Sequence, residues 1–304
     1  MMSVLRKLRH SLRHYSDLCK IRVSLFAALS TTVGFVLSPA PTIRNLVPLA
    51  LSVFLLACGS SALNQYQERD IDALMERTRN RPIPAGTIRP LSALLFALAL
   101  VGLGSALVEI IGGLKALLLG LFAIGWYNGL YTHLKRKSAF AVIPGALIGA
   151  VPPAIGWVAG SGYFASPKLW AMSILFFMWQ VPHFWLIMLN FGREYEKAGL
   201  PSLTNIFSES GLRRIIFHWI FALAVGSLCI SLYGLAHMPF IQLSFLAASL
   251  WITWYGKGLI QGNRFDVDKV FRRINAYMFI IALGITLDGM LMPHMSSRLL
   301  FSLF

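Results

Sequence analysis

The chain has 304 residues, of which 57% are hydrophobic and only 13% charged, with a mean hydropathy of +0.67. A soluble domain carries roughly 25% charged residues, so this composition excludes two water-soluble domains and makes lipid the main solvent. The net charge is +15, from 27 Lys and Arg against 12 Asp and Glu. Such a balance suits nucleic acid only where basic residues cover a soluble face. Here they fill short gaps between apolar runs, which excludes that reading and points to membrane topology. Cys19, Cys58 and Cys229 form no CxxC pair and give neither a disulfide framework nor a zinc site.

In chain order, residues 1–22 are a basic arm with Arg6, Lys7, Arg9, Arg13, Lys20 and Arg22. The arm reads as a surface helix on anionic lipid, with a partner-binding tail as the other reading. Its basic start lacks a small-residue cleavage site, so the first apolar run is expected to be retained rather than removed as a signal peptide. A helix needs about 20 apolar residues to cross the hydrocarbon core. Nine such stretches follow, near 23–40, 46–63, 91–111, 114–131, 139–160, 168–190, 214–236, 238–256 and 273–292. Together they make one transmembrane domain over 23–292, with longer loops at 64–90 and 190–213 and a short tail at 293–304. With the N-terminus inside, 23 of the 27 Lys and Arg fall on the inner side. Only Arg44, Lys115, Lys168 and Arg298 fall outside, which predicts a cytoplasmic N-terminus and an all-α multi-pass bundle.

The loop after the second span carries Asn64, Glu68 and Asp72 in steps of four. If the helix continues, one amide and two carboxylates share a face at the membrane surface. Asp70 and Glu76 add negative charge nearby, and Arg77 and Arg81 follow, also four apart. Clustered carboxylates repel unless a cation joins them, and all-oxygen donors favour Mg²⁺, which keeps positions open for phosphate oxygens. Arginine forks suit the same oxygens. The segment therefore reads as a metal-diphosphate clamp; ordinary interfacial charges are the bland alternative. Pro82, Pro84 and Gly86 end it as loop punctuation. The loop after span six repeats the pattern more weakly, with Asn190 and Glu194 four apart and Glu196 close by. Glu194 could supply a second metal or orient a diphosphate, or the loop could simply be solvated. His183, after Pro182 inside an apolar span, is a functional candidate by default. It suits iron ligation or assistance to the addition of water, and equally a hydrogen-bonded histidine beside a kink. Glu109 and Asp288 read as interfacial or paired, and His133, His218, His237 and His294 lie at span edges without an assigned role.

These motifs resemble the UbiA-type intramembrane prenyltransferases, through the Asn-x-x-x-acid-x-x-x-Asp pattern followed by Arg77-Thr78 and Arg81-Pro82. Asn64 to Asp72 with Met75-Glu76-Arg77-Thr78 is similar, more narrowly, to the haem O synthase (protohaem IX farnesyltransferase) family. Leu130-Tyr131-Thr132 with Leu134-Lys135-Arg136, Gly149 to Trp157, and Pro182-His183-Phe184-Trp185 resemble further signatures of that family. The matches run from Lys20 to about Leu203; the last three spans agree only in hydropathy. Glu68 and Glu194 stand where the family usually has Asp, Gln65 where many superfamily members, though not haem O synthases, have a second Asp, and Ile21 where proline is usual.

The resemblance implies a UbiA-type bundle of about nine helices around a central cavity, in a bacterial inner membrane. It implies farnesyl transfer from farnesyl diphosphate to the vinyl group of protohaem IX (haem B), with water addition. Mg²⁺ would be held by Asn64, Glu68, Asp70, Asp72 and Glu194, and diphosphate by Lys20, Arg22, Arg77, Arg81, Lys135 and Arg136. Asn64, Glu68, Asp72 and His183 would be catalytic. Tyr66, Tyr131, Phe184 and Trp185 could face an allylic cation, though most such rings only pack. Haem A synthase or oxidase assembly factors are the implied partners, and nucleic acid is not. An aromatic or quinone-precursor acceptor is the alternative enzyme. Acids at helix ends on one side count against a transporter, and an assembly scaffold without chemistry is the remaining class.

Overall fold

The computed structural model describes residues 12–261 and 266–292. The expectations for most of the arm (1–11), for the tail from 293, and for Arg264 lie outside the described residues. Helix α1 (Leu12–Cys19) bends by 52° into α2 (Ile21–Leu37). Then come α3 (Ile43–Asp72) and α4 (Pro90–Ile124), which runs on through a π-helical turn (Gly125–Tyr131) into α5 (Thr132–Leu134). After them follow α6 (Val142–Ser161), α7 (Pro167–Lys197), α8 (Glu209–Cys229), α9 (Pro239–Gly256), α10 (Gly258–Gln261) and α11 (Val267–Leu291).

Among the described residues, six helical stretches are long and apolar enough to cross a membrane, or seven if the bent α1–α2 pair is one span. The difference from nine has identifiable causes. The third and fourth expected spans form one helical stretch, Pro90–Leu134. Its backbone leaves the helical region at Gly113, with φ 78° and ψ 174°, a conformation open to glycine alone at low cost. The chain reverses there. Before Gly113, Gly104 packs on Leu56 and Ser52, and Gly59 packs on Ala97 and Val101. After it, Gly120 packs on Leu56, and Asn128 meets Ser60. The two arms thus lie antiparallel along α3 and make separate passes. The other cause is α9, only 18 residues long, with Gln242, two serines and three ring-bearing residues near its end diluting its apolar character. With these two included, the described helices match the nine expected stretches.

Lipid offers no hydrophobic drive between helices, so close packing needs small residues. A Cβ on Gly34 would sit 1.8 Å from the Pro153 carbonyl oxygen, and one on Gly156 would sit 1.9 Å from that of Thr31. Helices α2 and α6 therefore touch backbone to backbone, side by side in the same direction. Leu25, Ile110, Leu232 and Trp254 are exposed on the outside, while Ser24, Thr31, Ser52 and Ser227 are buried. Pro48, Pro152, Pro153 and Pro182 lie inside helices, and α7 runs through Pro182 without breaking.

The second half is tied by side-chain polar contacts. Tyr277 hydroxyl bonds Ser227 and, at 3.0 Å, Ser249, linking α11, α8 and α9. Near the C-terminal end of α11, buried Asp288 accepts from the amides of His237 (2.9 Å) and Met238 (2.8 Å) and from His237 Nδ1 (2.9 Å). Asp288 is thus paired, as expected. His237 differs from its reading as a roleless edge residue, because it bridges α11 to the start of α9.

Candidate active site

The start of α2 and the ends of α3, α5 and α7 meet. Helix α3 continues past the apolar stretch to Asp72, so Asn64, Glu68 and Asp72 stack on one face, all buried. Each has a cationic partner. Lys20 Nζ donates to Asn64 Oδ1 at 3.0 Å. Lys135 pairs with Glu68. Arg81 Nη1 donates to both oxygens of Asp72, at 2.8 and 2.7 Å. Thr132 accepts from Asn64 Nδ2 at 3.2 Å, fixing which amide atom faces Lys20.

Lys20 occupies the left-handed region at φ 45° and is the sole such non-glycine among the described residues. For a side chain this costs roughly 1–2 kcal/mol, and such residues concentrate at functional sites. The bend is braced by Gln65, whose Nε2 donates to the carbonyls of Asp17 (2.9 Å) and Leu18 (3.0 Å). A carboxylate at position 65 could donate to neither. Burial, with Arg81 adding repulsion, lowers the Lys20 amine to about 7; Glu68 and Asp72 pull it the other way.

The second loop reaches the first. Glu194 Oε2 accepts from the Arg77 amide at 3.1 Å, and Arg77 Nη2 donates to Tyr195 hydroxyl at 3.2 Å. The Arg77 guanidinium also lies 4.8 Å from the Phe191 ring centroid. The two acidic segments, distant in sequence, are therefore in contact. Not every expected residue joins them. Asp70 lies on the opposite face of α3, its side chain 82% exposed beside Arg69 at 3.9 Å, and so stands apart from the metal-facing column. Glu76 and Arg22 are exposed. Arg136 donates to the Gln67 carbonyl at 2.8 Å, a tie between α3 and the chain after α5.

The π-helical turn positions residues that no charge pattern marks. Such turns are rare and recur at functional sites. Asn128 exchanges hydrogen bonds with Gln67 and Ser60, seating this segment against α3. Tyr127 and Tyr131 stack at 5.6 Å, and Tyr131 lies 6.2 Å from Phe184 on α7. Lys135 Nζ is 6.0 Å from the Tyr131 ring. Aromatic rings thus lead from the charged mouth inward to His183, which packs 5.7 Å from Phe184, 5.0 Å from Trp179 and 4.7 Å from Phe271.

Among the described residues, no three His, Cys, Asp or Glu side chains gather closely enough to hold a metal ion by themselves. The donor set still fits Mg²⁺. It offers hard oxygens from Asn64, Glu68 and Asp72, too few to complete a shell, as expected where phosphate oxygens supply the rest.

The UbiA prenyltransferase family profile matches residues 27–283. The chain belongs to the UbiA prenyltransferase family. Like that family it is an all-α integral membrane protein. A protoheme IX farnesyltransferase of Nitratidesulfovibrio vulgaris (strain DP4) is 42% identical over 219 residues, covering 72% of this chain and 76% of that one. Protoheme IX farnesyltransferase 1 of Pseudomonas putida (strain W619) is 33% identical, covering 97% and 100%. Among solved folds, a UbiA homolog from Aeropyrum pernix K1 superposes with a TM-score of 0.74 at 22% identity, over 88% of this chain and 98% of that one. A UbiA homolog from Archaeoglobus fulgidus, bound to GPP and Mg²⁺, gives 0.68 at 19% identity, over 91% and 98%. This prenyltransferase thus shares the fold with both.

Proposed function

We propose that this prenyltransferase transfers the farnesyl group of farnesyl diphosphate to a vinyl group of protohaem IX, yielding haem O and diphosphate. The C1–O bond of the donor breaks and a carbon–carbon bond forms at the vinyl terminus. Hydroxide from water adds to the inner vinyl carbon, and the remaining proton is released. The observation that carries the reading is the meeting of the Asn64-Glu68-Asp72 column with Glu194 through Arg77, over an aromatic-lined approach. The acceptor follows from full-length similarity to protoheme IX farnesyltransferases.

Lys20, Lys135, Arg77 and Arg81 hold the diphosphate at the membrane surface. Lys20, Lys135 and Arg81 each already oppose an acid or amide, the Arg77 guanidinium reaches the Tyr195 hydroxyl, and all four can turn their positive charge to phosphate oxygens. Asn64, Glu68 and Asp72 would hold one Mg²⁺, and Glu194 a second. Bound Mg²⁺ supplies charge neutralisation of the departing diphosphate. Tyr127, Tyr131 and Phe184 present ring faces to the allylic cation and exclude water from it. The site faces the cytoplasm of a bacterial inner membrane, with haem A synthase or an oxidase assembly factor receiving the product.

Purified protein given haem B, farnesyl diphosphate and Mg²⁺ is expected to form haem O, read by mass spectrometry. Asp72→Asn is expected to lower turnover by at least about 100-fold, with helix content unchanged. An active Asp72→Asn protein would overturn the metal assignment. Prenylation of a phenolic acceptor without any farnesylated haem would overturn the acceptor.

A further inference from the structure

Asn275, on α11, lies in a span whose sequence carries no motif, yet among the described residues it alone hydrogen-bonds the His183 ring. His183 Nδ1 and Asn275 Oδ1 are 2.8 Å apart. The Asn275 amide cannot be turned round at no cost, because its Nδ2 donates to the Phe271 carbonyl at 2.8 Å. Oδ1 must therefore accept, and the histidine must donate. A neutral imidazole that donates from Nδ1 carries its lone pair on Nε2. Nε2 makes no hydrogen bond among the described residues.

We propose that Asn275 is a positioning residue that locks His183 in the Nδ1–H form, so that Nε2 presents its lone pair to the iron of the bound haem. This rests on the haem reading above. The geometry favours iron over a purely packed role. Asn275 and Phe271 fix the ring from α11, while Trp179 and Phe184 flank it from α7, so its orientation is over-determined. A hydrogen-bonded second nitrogen is the usual support of a metal-bound histidine. Coordination needs no proton loss, since Nε2 is already bare: the pair forms the Fe–N bond and nothing else moves. His183 also lies suitably far from the clamp. It is eleven residues before Glu194 on one continuous helix, about 16 Å along the axis. A macrocycle ligated there can extend a vinyl edge back toward the rings of Phe184 and Tyr131.

The test uses the full-length protein in detergent with ferric haem B alone, without prenyl donor. Absorption and electron paramagnetic resonance are expected to show a histidine-ligated iron that is lost in His183→Ala. Asn275→Leu, which keeps the bulk and removes the acceptor, is expected to weaken haem affinity about 10- to 100-fold and alter the ligand spectrum. Its KM for farnesyl diphosphate should stay unchanged. Asn275→Asp, which still accepts from Nδ1–H, should restore the wild-type spectrum. Haem bound with an identical spectrum and affinity in Asn275→Leu would overturn the positioning role, as would ligation that survives His183→Ala. Absence of haem binding together with turnover on another acceptor would overturn the haem reading itself, a distinguishable result.

Discussion

Single side chains decide what the mouth of the bundle can hold. Sequence spacing placed Asn64, Glu68 and Asp72 on one face, and they are there because α3 extends beyond its apolar stretch to Asp72. The metal set implied by the resemblance included Asp70, but two residues from Asp72 is about 200° around a helix, which turns its carboxylate away. Asn275 was invisible for another reason. An isolated amide in an apolar run gives no pattern, and only the fold brings it to His183. Gln65 shows how a departure from the wider superfamily's pattern can be physical. Its amide braces the backbone ahead of Lys20, a task for a donor and not for an acid. Gln65→Glu is expected to free two buried carbonyls and loosen Lys20. At about 1–3 kcal/mol for unmet groups, the KM for farnesyl diphosphate should rise roughly tenfold with kcat little changed, measured by initial rates.

Whole elements were legible from hydropathy, and their joins were not. The nine apolar stretches correspond to helices, but nothing in the pair Gly112-Gly113 announced that one residue alone reverses the chain. Nor does periodicity reveal how closely α2 and α6 approach. That approach carries its own expectation. Gly156→Ala puts a methyl 1.9 Å from the Thr31 carbonyl oxygen, so the helices must separate. Overpacking costs about 1–3 kcal/mol and more where backbone must move. A fall in the melting temperature of the detergent-solubilised protein is expected. Gly102→Ala is the control: a Cβ there meets nothing within 4 Å, and stability should hold or rise slightly, because alanine favours helix.

At the scale of the whole molecule, charge asymmetry and site agree on one side. Lys20, Glu68, Asp72, Lys135 and Glu194 all lie where the inner-facing basic loops were expected. An impermeant maleimide checks this in vesicles made from a Cys229→Ser background, since Cys229 is exposed. Asp70→Cys is expected to label only in inverted vesicles, and Tyr163→Cys, in the outer turn between α6 and α7, only in right-side-out ones. The reverse pattern would invert the topology.

The unbroken course of α7 has a mechanical consequence. One rod of 31 residues carries His183 deep in the bundle and Glu194 at its rim. A lever so rigid cannot swing at one end alone. A tilt that widened the interior for a flat, bulky ring would also pull Glu194 off the Arg77 amide, so on the proposed site admitting the acceptor and slackening the grip on the donor would become a single movement.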